Sequence, residues 1–133
     1  MRSARLSVVA LVLVAGAGVT SCGGSSDESA TTTPADLSAQ ATAGKEAIAD
    51  LGCSTCHSVD GAEGVGPTFA GLAGSKVELD SGKTVTADDA YLTRSINDPT
   101  AQVVKGFRPI MPPRKLPADQ VASIVAYLKA LGT

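Results

Sequence analysis

The chain has 133 residues, a formal charge of −2, and only one histidine, three cysteines and no tryptophan. That length holds one domain at most, and the acidic balance excludes nucleic acid as a partner. Two phenylalanines and two tyrosines leave a domain of this size short of large side chains to bury.

Met1 to Arg5 is short and basic, and Leu6 to Val19 is an apolar run. A bilayer span takes about 20 residues, so the run predicts a cleaved export signal over residues 1–21 rather than a membrane helix. It ends in Val19-Thr20-Ser21-Cys22, which resembles the lipobox of bacterial lipoproteins. The resemblance implies lipid on Cys22 and a lipid anchor on the extracytoplasmic side of a bacterial membrane. An ordinary free thiol at Cys22 is the alternative. Gly23 to Ala41 is rich in Gly, Ser, Thr and Ala, so 22–41 is expected to be a lipidated flexible tether and 42–133 the folded domain. Loss of Arg2 and Arg5 with the signal leaves nine basic against thirteen acidic side chains, a charge of −4. Against that background Val103 to Leu116 is locally basic, with Lys105, Arg108, Arg114 and Lys115 and no acid.

Gly44, Ala47, Ile48 and Leu51 recur at helical spacing and predict a short helix from Thr42, stopped by Gly52. Asp60 to Gly74, with five glycines and Pro67, is expected to be loop, with Phe69 and Leu72 turned inward. Val77 to Leu79 and Thr84-Val85 flank Ser81-Gly82 as a small hairpin, too small to stand alone. A helix follows, capped by Thr86, with Asp88 and Asp89 in its first turn and Tyr91, Leu92, Ser95 and Ile96 along it to Asn97. Asp98-Pro99 starts a further short turn ending at Gly106. Val121, Ile124, Val125 and Leu128 predict a last helix whose start has no Ser, Thr, Asp or Asn cap.

The chemistry lies in Cys53-Ser54-Thr55-Cys56-His57. Two thiols two residues apart, with a histidine directly after the second, are what covalent attachment of a c-type haem requires. Cys53 and Cys56 add to the vinyl groups and His57 ligates the iron. A redox dithiol or half a zinc site would need a strand–helix alternation or a second ligand pair, and neither is present. The sixth ligand follows largely by exclusion: Met1 leaves with the signal, so Met111 is the remaining thioether. It stands among Pro109, Pro112 and Pro113, which stiffen the segment that must hold a weak Fe–S bond. A lysine or no ligand is the remaining case.

The ordered segments CSTCH, GVGPTFAGL, YLTRSI, GFRPIMPP and VASIVAYLKAL, over about residues 42 to 132, resemble class I monohaem cytochromes c. They are particularly similar to the c-type domain fused to subunit II of some bacterial haem-copper oxidases. The resemblance implies an all-α cytochrome c fold of three to four short helices around one covalently bound haem c, with a small β-hairpin insertion. It implies that the Pro67 carbonyl orients His57, and that Gly44 and Tyr127 mark the crossing of the first and last helices. The chain lacks the histidines and cysteines of a copper domain, so it is not a whole subunit II, and Ile48 stands where the family often has an aromatic residue. Gly66 and Gly71 are either plain loop residues or points of close approach to the porphyrin. Arg94, Tyr91, Lys105 and Arg108 are candidates for the propionates.

These observations favour an electron carrier over an enzyme, because both axial positions of the iron are filled and no substrate position stays open. The expected partners are membrane-bound redox proteins, such as a haem-copper oxidase or a quinol-oxidising complex. Two rivals remain: a haem sensor or small-ligand binder with a displaceable Met111, and a tightly bound subunit of an oxidase or dehydrogenase.

Overall fold

The computed structural model describes residues 34–132, with side chains from Ala39 onward. The expected signal peptide, Cys22 and the first part of the tether lie outside these residues. Three helices, α1 (Pro34–Asp50), α2 (Asp89–Asn97) and α3 (Ala118–Ala130), form the frame, with a hairpin of β1 (Lys76–Glu78) and β2 (Thr84–Thr86) between α1 and α2. α1 begins at Pro34, not Thr42, so the later part of the expected tether is helical. Proline suits a first turn, where its missing N–H has no partner to lose, and the Ala-rich sequence that follows favours helix without any apolar face.

The helix contact that organises the domain is between α1 and α3. Gly44, Ala47 and Ile48 are buried on α1 and Leu51 is half-buried, as the spacing predicts. Val121, Ile124, Val125 and Leu128 face them from α3, each at most 5% exposed. The crossing is tight at one point: a Cβ on Gly44 would collide with the Ser123 carbonyl and come within 2.9 Å of Tyr127 Cβ. α3 starts after Pro117 without a side-chain cap.

α2 is capped by Asp88, whose carboxylate accepts from the Tyr91 amide at 2.8 Å. Thr86, the expected cap, pairs instead with Lys76 at the end of β2. The side chain of Asp88 reaches the free amides that the Thr86 hydroxyl is two residues too early to reach. Tyr91 and Leu92 turn inward.

The hairpin pairs Val77 with Val85 and closes through Asp80, Ser81 and Gly82, with Gly82 at φ 80°. Its chain reversal is a three-residue loop with glycine in the left-handed position. Two strands of this length need support, and Val103 to Lys105 supplies it along the free edge of β1. The Asp80 amide donates to the Val103 carbonyl and the Lys105 amide to the Glu78 carbonyl, each at 2.9 Å. Leu79 and Val104 form an antiparallel bridge between them. The segment after Asp98 is therefore a turn leading into this bridge, and no helix forms there.

Candidate haem site

Gly52 leaves α1 in the left-handed conformation, and a 3-10 turn over Cys53–Thr55 follows at once. The amides of Cys56 and His57 both donate to the Cys53 carbonyl, at 3.2 and 3.1 Å. This winding puts Cys53, Cys56 and His57 on one side of the turn. All three line a single apolar cavity of about 290 Å³. Burial pushes the Cys53 thiol up, against the opposing pull of the Arg114 guanidinium and a backbone hydrogen bond.

The loop that follows locks the imidazole. His57 Nδ1 lies 2.7 Å from the Pro67 carbonyl, which makes Nδ1 the protonated nitrogen and leaves Nε2 free to ligate. The ring stacks on Phe69 with centroids 4.5 Å apart and planes 9° from parallel. The loop is pinned in turn by the Gly66 amide on the Cys56 carbonyl at 2.9 Å and the Phe69 amide on the Ser58 carbonyl at 2.8 Å. Gly66 lines the cavity, and its missing Cβ makes room for the His57 ring. Gly71 has a φ of +67°, the left-handed conformation that favours glycine, and lies outside the lining of this cavity.

Met111 lies in the irregular stretch between Phe107 and Pro117, and its side chain lines the same cavity as His57. Ile48 from α1, Leu92 and Ile96 from α2, and Ile124 and Leu128 from α3 complete the apolar wall.

Residues 41–132 match the sequence model of the family described as cytochrome c. The chain belongs to the cytochrome c family. Cytochrome c2 iso-2 of Magnetospirillum fulvum is 38% identical over 89 residues, covering 59% of this chain and 91% of that protein. Cytochrome c2 of Rhodoplanes tepidamans is 33% identical over 90 residues, covering 59% of this chain and 90% of its own. The solved structure of cytochrome cH from Methylobacterium extorquens superposes with a TM-score of 0.54 at 34% identity, over 68% of this chain and 97% of that one.

A cytochrome c carries one covalent haem c, and the cavity fits it on two independent grounds. The two thiols, the imidazole and the thioether converge on one apolar space. Two polar atoms in its wall, Ser95 Oγ and Gln102 Oε1, are buried without a hydrogen-bond partner. In a cytochrome c of this sequence, Cys53 and Cys56 would hold the group covalently, with His57 and Met111 on the iron. Of the candidates for the propionates, Tyr91 and Arg108 line the cavity. Arg94 is exposed and outside the lining, and Lys105 is paired with Glu78 at 2.7 Å beside the hairpin. Sequence reasoning missed Gln102 and did not single out Ser95; a polar residue on the Tyr91-Leu92-Ile96 face was the available signal.

Proposed function

We propose that this cytochrome c is a membrane-anchored carrier that passes single electrons between respiratory redox proteins, with a terminal oxidase as the acceptor. The observation that supports it best is the placement of the sole histidine and of Met111 in the wall of one cavity, because two protein ligands would leave no iron position for a substrate. When bound, haem would supply a reversible one-electron couple, whose potential a methionine ligand would raise. The chain's own residues do the rest. Pro67 and Phe69 fix the imidazole plane, so little side-chain movement accompanies a change of charge. Ile48, Leu92 and Leu128, each at most 3% exposed, keep water from the wall. Val65 and Ile110 line the cavity and are 55% and 51% exposed, which favours an apolar contact where the partner docks.

The anchor rests on Cys22 and its lipobox-like context, with the stretch between Cys22 and α1 as the tether. Among the described residues no helix is long and apolar enough to cross a membrane. Confinement by lipid raises the effective concentration at membrane-bound partners, such as a haem-copper oxidase or a quinol-oxidising complex. The similarity of GFRPIMPP and its neighbours to subunit II c-type domains is what favours the oxidase.

Visible spectra of the haem-loaded protein, oxidised and reduced, with and without carbon monoxide, test the carrier reading. A sulfur-to-iron band at long wavelength and indifference to carbon monoxide are expected. Absence of that band with ready carbon monoxide binding would overturn the reading in favour of a sensor or ligand binder. Mass analysis of the amino terminus after mild detergent extraction tests the anchor: diacylated Cys22 is expected, and an unmodified thiol overturns it.

A further inference from the structure

Ser95 and Gln102 put the two unpartnered polar atoms into an otherwise apolar wall. Ser95 stands one turn after Tyr91 near the end of α2, and Gln102 follows the Asp98-Pro99 turn. The Ser95 hydroxyl is close enough to the Tyr91 phenol to offset part of the rise that burial imposes on it, yet it makes no hydrogen bond of proper geometry. Buried amides and hydroxyls without partners are rare because each forfeits its hydration with nothing in return. Ile48, Leu92, Ile96 and Val103, which share the wall, offer them nothing, and the group the cavity binds is a partner that can.

Haem is apolar over both faces and carries two carboxylates. An ionised carboxylate only accepts, and needs donors when it is taken out of water. A serine hydroxyl donates directly. A glutamine amide donates once it turns by half a rotation, which exchanges Nε2 for Oε1 at the same place. We propose that Ser95 and Gln102 donate hydrogen bonds to a haem propionate and hold it inside the cavity in its ionised form. The exposed Arg108 lines the same cavity and adds a positive charge to it. Hydrogen bonds to an ionised acceptor are stronger than neutral ones, so two donors offset part of the cost of holding a carboxylate in a largely apolar wall.

The test uses the haem-loaded full chain and reads resonance Raman bands of the propionate bending mode together with the midpoint potential. In Ser95→Ala and Gln102→Leu the propionate band is expected to move to lower frequency, and the potential to fall as the carboxylate charge loses its donors. Gln102→Lys supplies a cationic donor at the same place and is expected to move the potential the other way. A merely structural role would not give opposite shifts. An unmoved propionate band in both loss variants, at full haem content, would overturn the proposal and assign the two atoms to an internal water. If Gln102→Leu does not fold, Ser95→Ala, which removes one hydroxyl, decides by the same band. The inference rests on haem in this cavity and not on the carrier reading: carbon monoxide binding would end the latter and leave the Raman result to be read unchanged.

Discussion

A methyl group on Gly66 would lie 2.5 Å from Cε1 and 2.8 Å from Nδ1 of His57. The ring already has a stacked neighbour in Phe69 and an acceptor in the Pro67 carbonyl, so it has no free direction in which to turn. Gly66→Ala is expected to keep haem on Cys53 and Cys56 while stretching or breaking the 2.7 Å bond to Pro67. Overpacking of this kind costs about 1–3 kcal/mol, and the loosened imidazole becomes a poorer electron donor to the iron, which raises the potential. Denaturant unfolding and a potentiometric titration check both. Wild-type values in each would show that the loop yields freely.

Gly44→Ala sets two effects against each other. Alanine gains up to about 1 kcal/mol of helix propensity over glycine. Its Cβ, however, meets main-chain atoms of Ser123, which cannot rotate away as a side chain would. Separating α1 from α3 is therefore expected to win, with a net loss of about 1–2 kcal/mol. The exposed neighbour Ala43 supplies the control: Ala43→Gly loses about 1 kcal/mol of propensity and no packing. Urea midpoints of the two haem-loaded variants measure the difference, and a stabilised Gly44→Ala would refute the close crossing.

The two helical faces at the crossing were legible because Gly44, Ala47 and Ile48 recur at the same spacing that Val121, Ile124 and Val125 do. The attachment motif was legible because it is local: five consecutive residues hold the thiols and the imidazole. The start of α1 was not, since Pro34 to Ala43 has helix-forming residues but no apolar stripe, and composition alone reads as linker. The service Gly66 renders to His57 was not legible either, because a missing Cβ looks the same in sequence whatever neighbour it makes room for. Gln102 escaped notice since it lies in the irregular segment between Asp98 and the Leu79–Val104 bridge, where no periodicity marks an inward face.

That bridge anchors the chain a few residues before Met111. Beside the two backbone hydrogen bonds, two side-chain contacts tie the hairpin to it: the exposed Lys105–Glu78 ion pair at 2.7 Å and the buried Leu79 beside Val104. An ion pair in solvent contributes about 0–1 kcal/mol, whereas Leu→Ala in a core costs about 2–5 kcal/mol. Lys105→Gln is accordingly expected to leave the sulfur-to-iron band intact, while Leu79→Ala weakens it by loosening the route to Met111. Equal effects of the two substitutions on that band would mean that the hairpin does not stiffen the Met111 segment.

The proposed partner recognition assigns unequal roles to the four basic residues between Val103 and Leu116. Lys105 already has Glu78, and Arg108 and Arg114 line the cavity beside the exposed Ile110. Changing Arg108, Arg114 and Lys115 together to glutamine is expected to lower the association rate with the redox partner by about 10-fold or more at low salt and to flatten its salt dependence. Lys105→Gln alone is expected to change little. Stopped-flow oxidation at several ionic strengths measures both, and an unchanged salt slope in the triple variant would remove the electrostatic docking argument.

Tyr91 links the cavity to alkaline stability. The side chain is 6% exposed, and burial raises its phenol above the ordinary value of 10.0, with Ser95 acting in part against the rise. A neutral phenol is thus favoured by the folded state. Its contribution is fully present below the unfolded pKa and is lost as pH rises through the raised folded pKa. Tyr91→Phe removes this titration and gives up no well-formed side-chain bond, so at neutral pH the variant is expected to differ from wild type by less than about 1 kcal/mol. Above pH 10 the wild type should lose stability that the variant keeps, against a background of lysine titration common to both. Unfolding midpoints at neutral and alkaline pH decide it, and parallel curves would show that the phenol is ionised as readily in the folded chain as in the unfolded one.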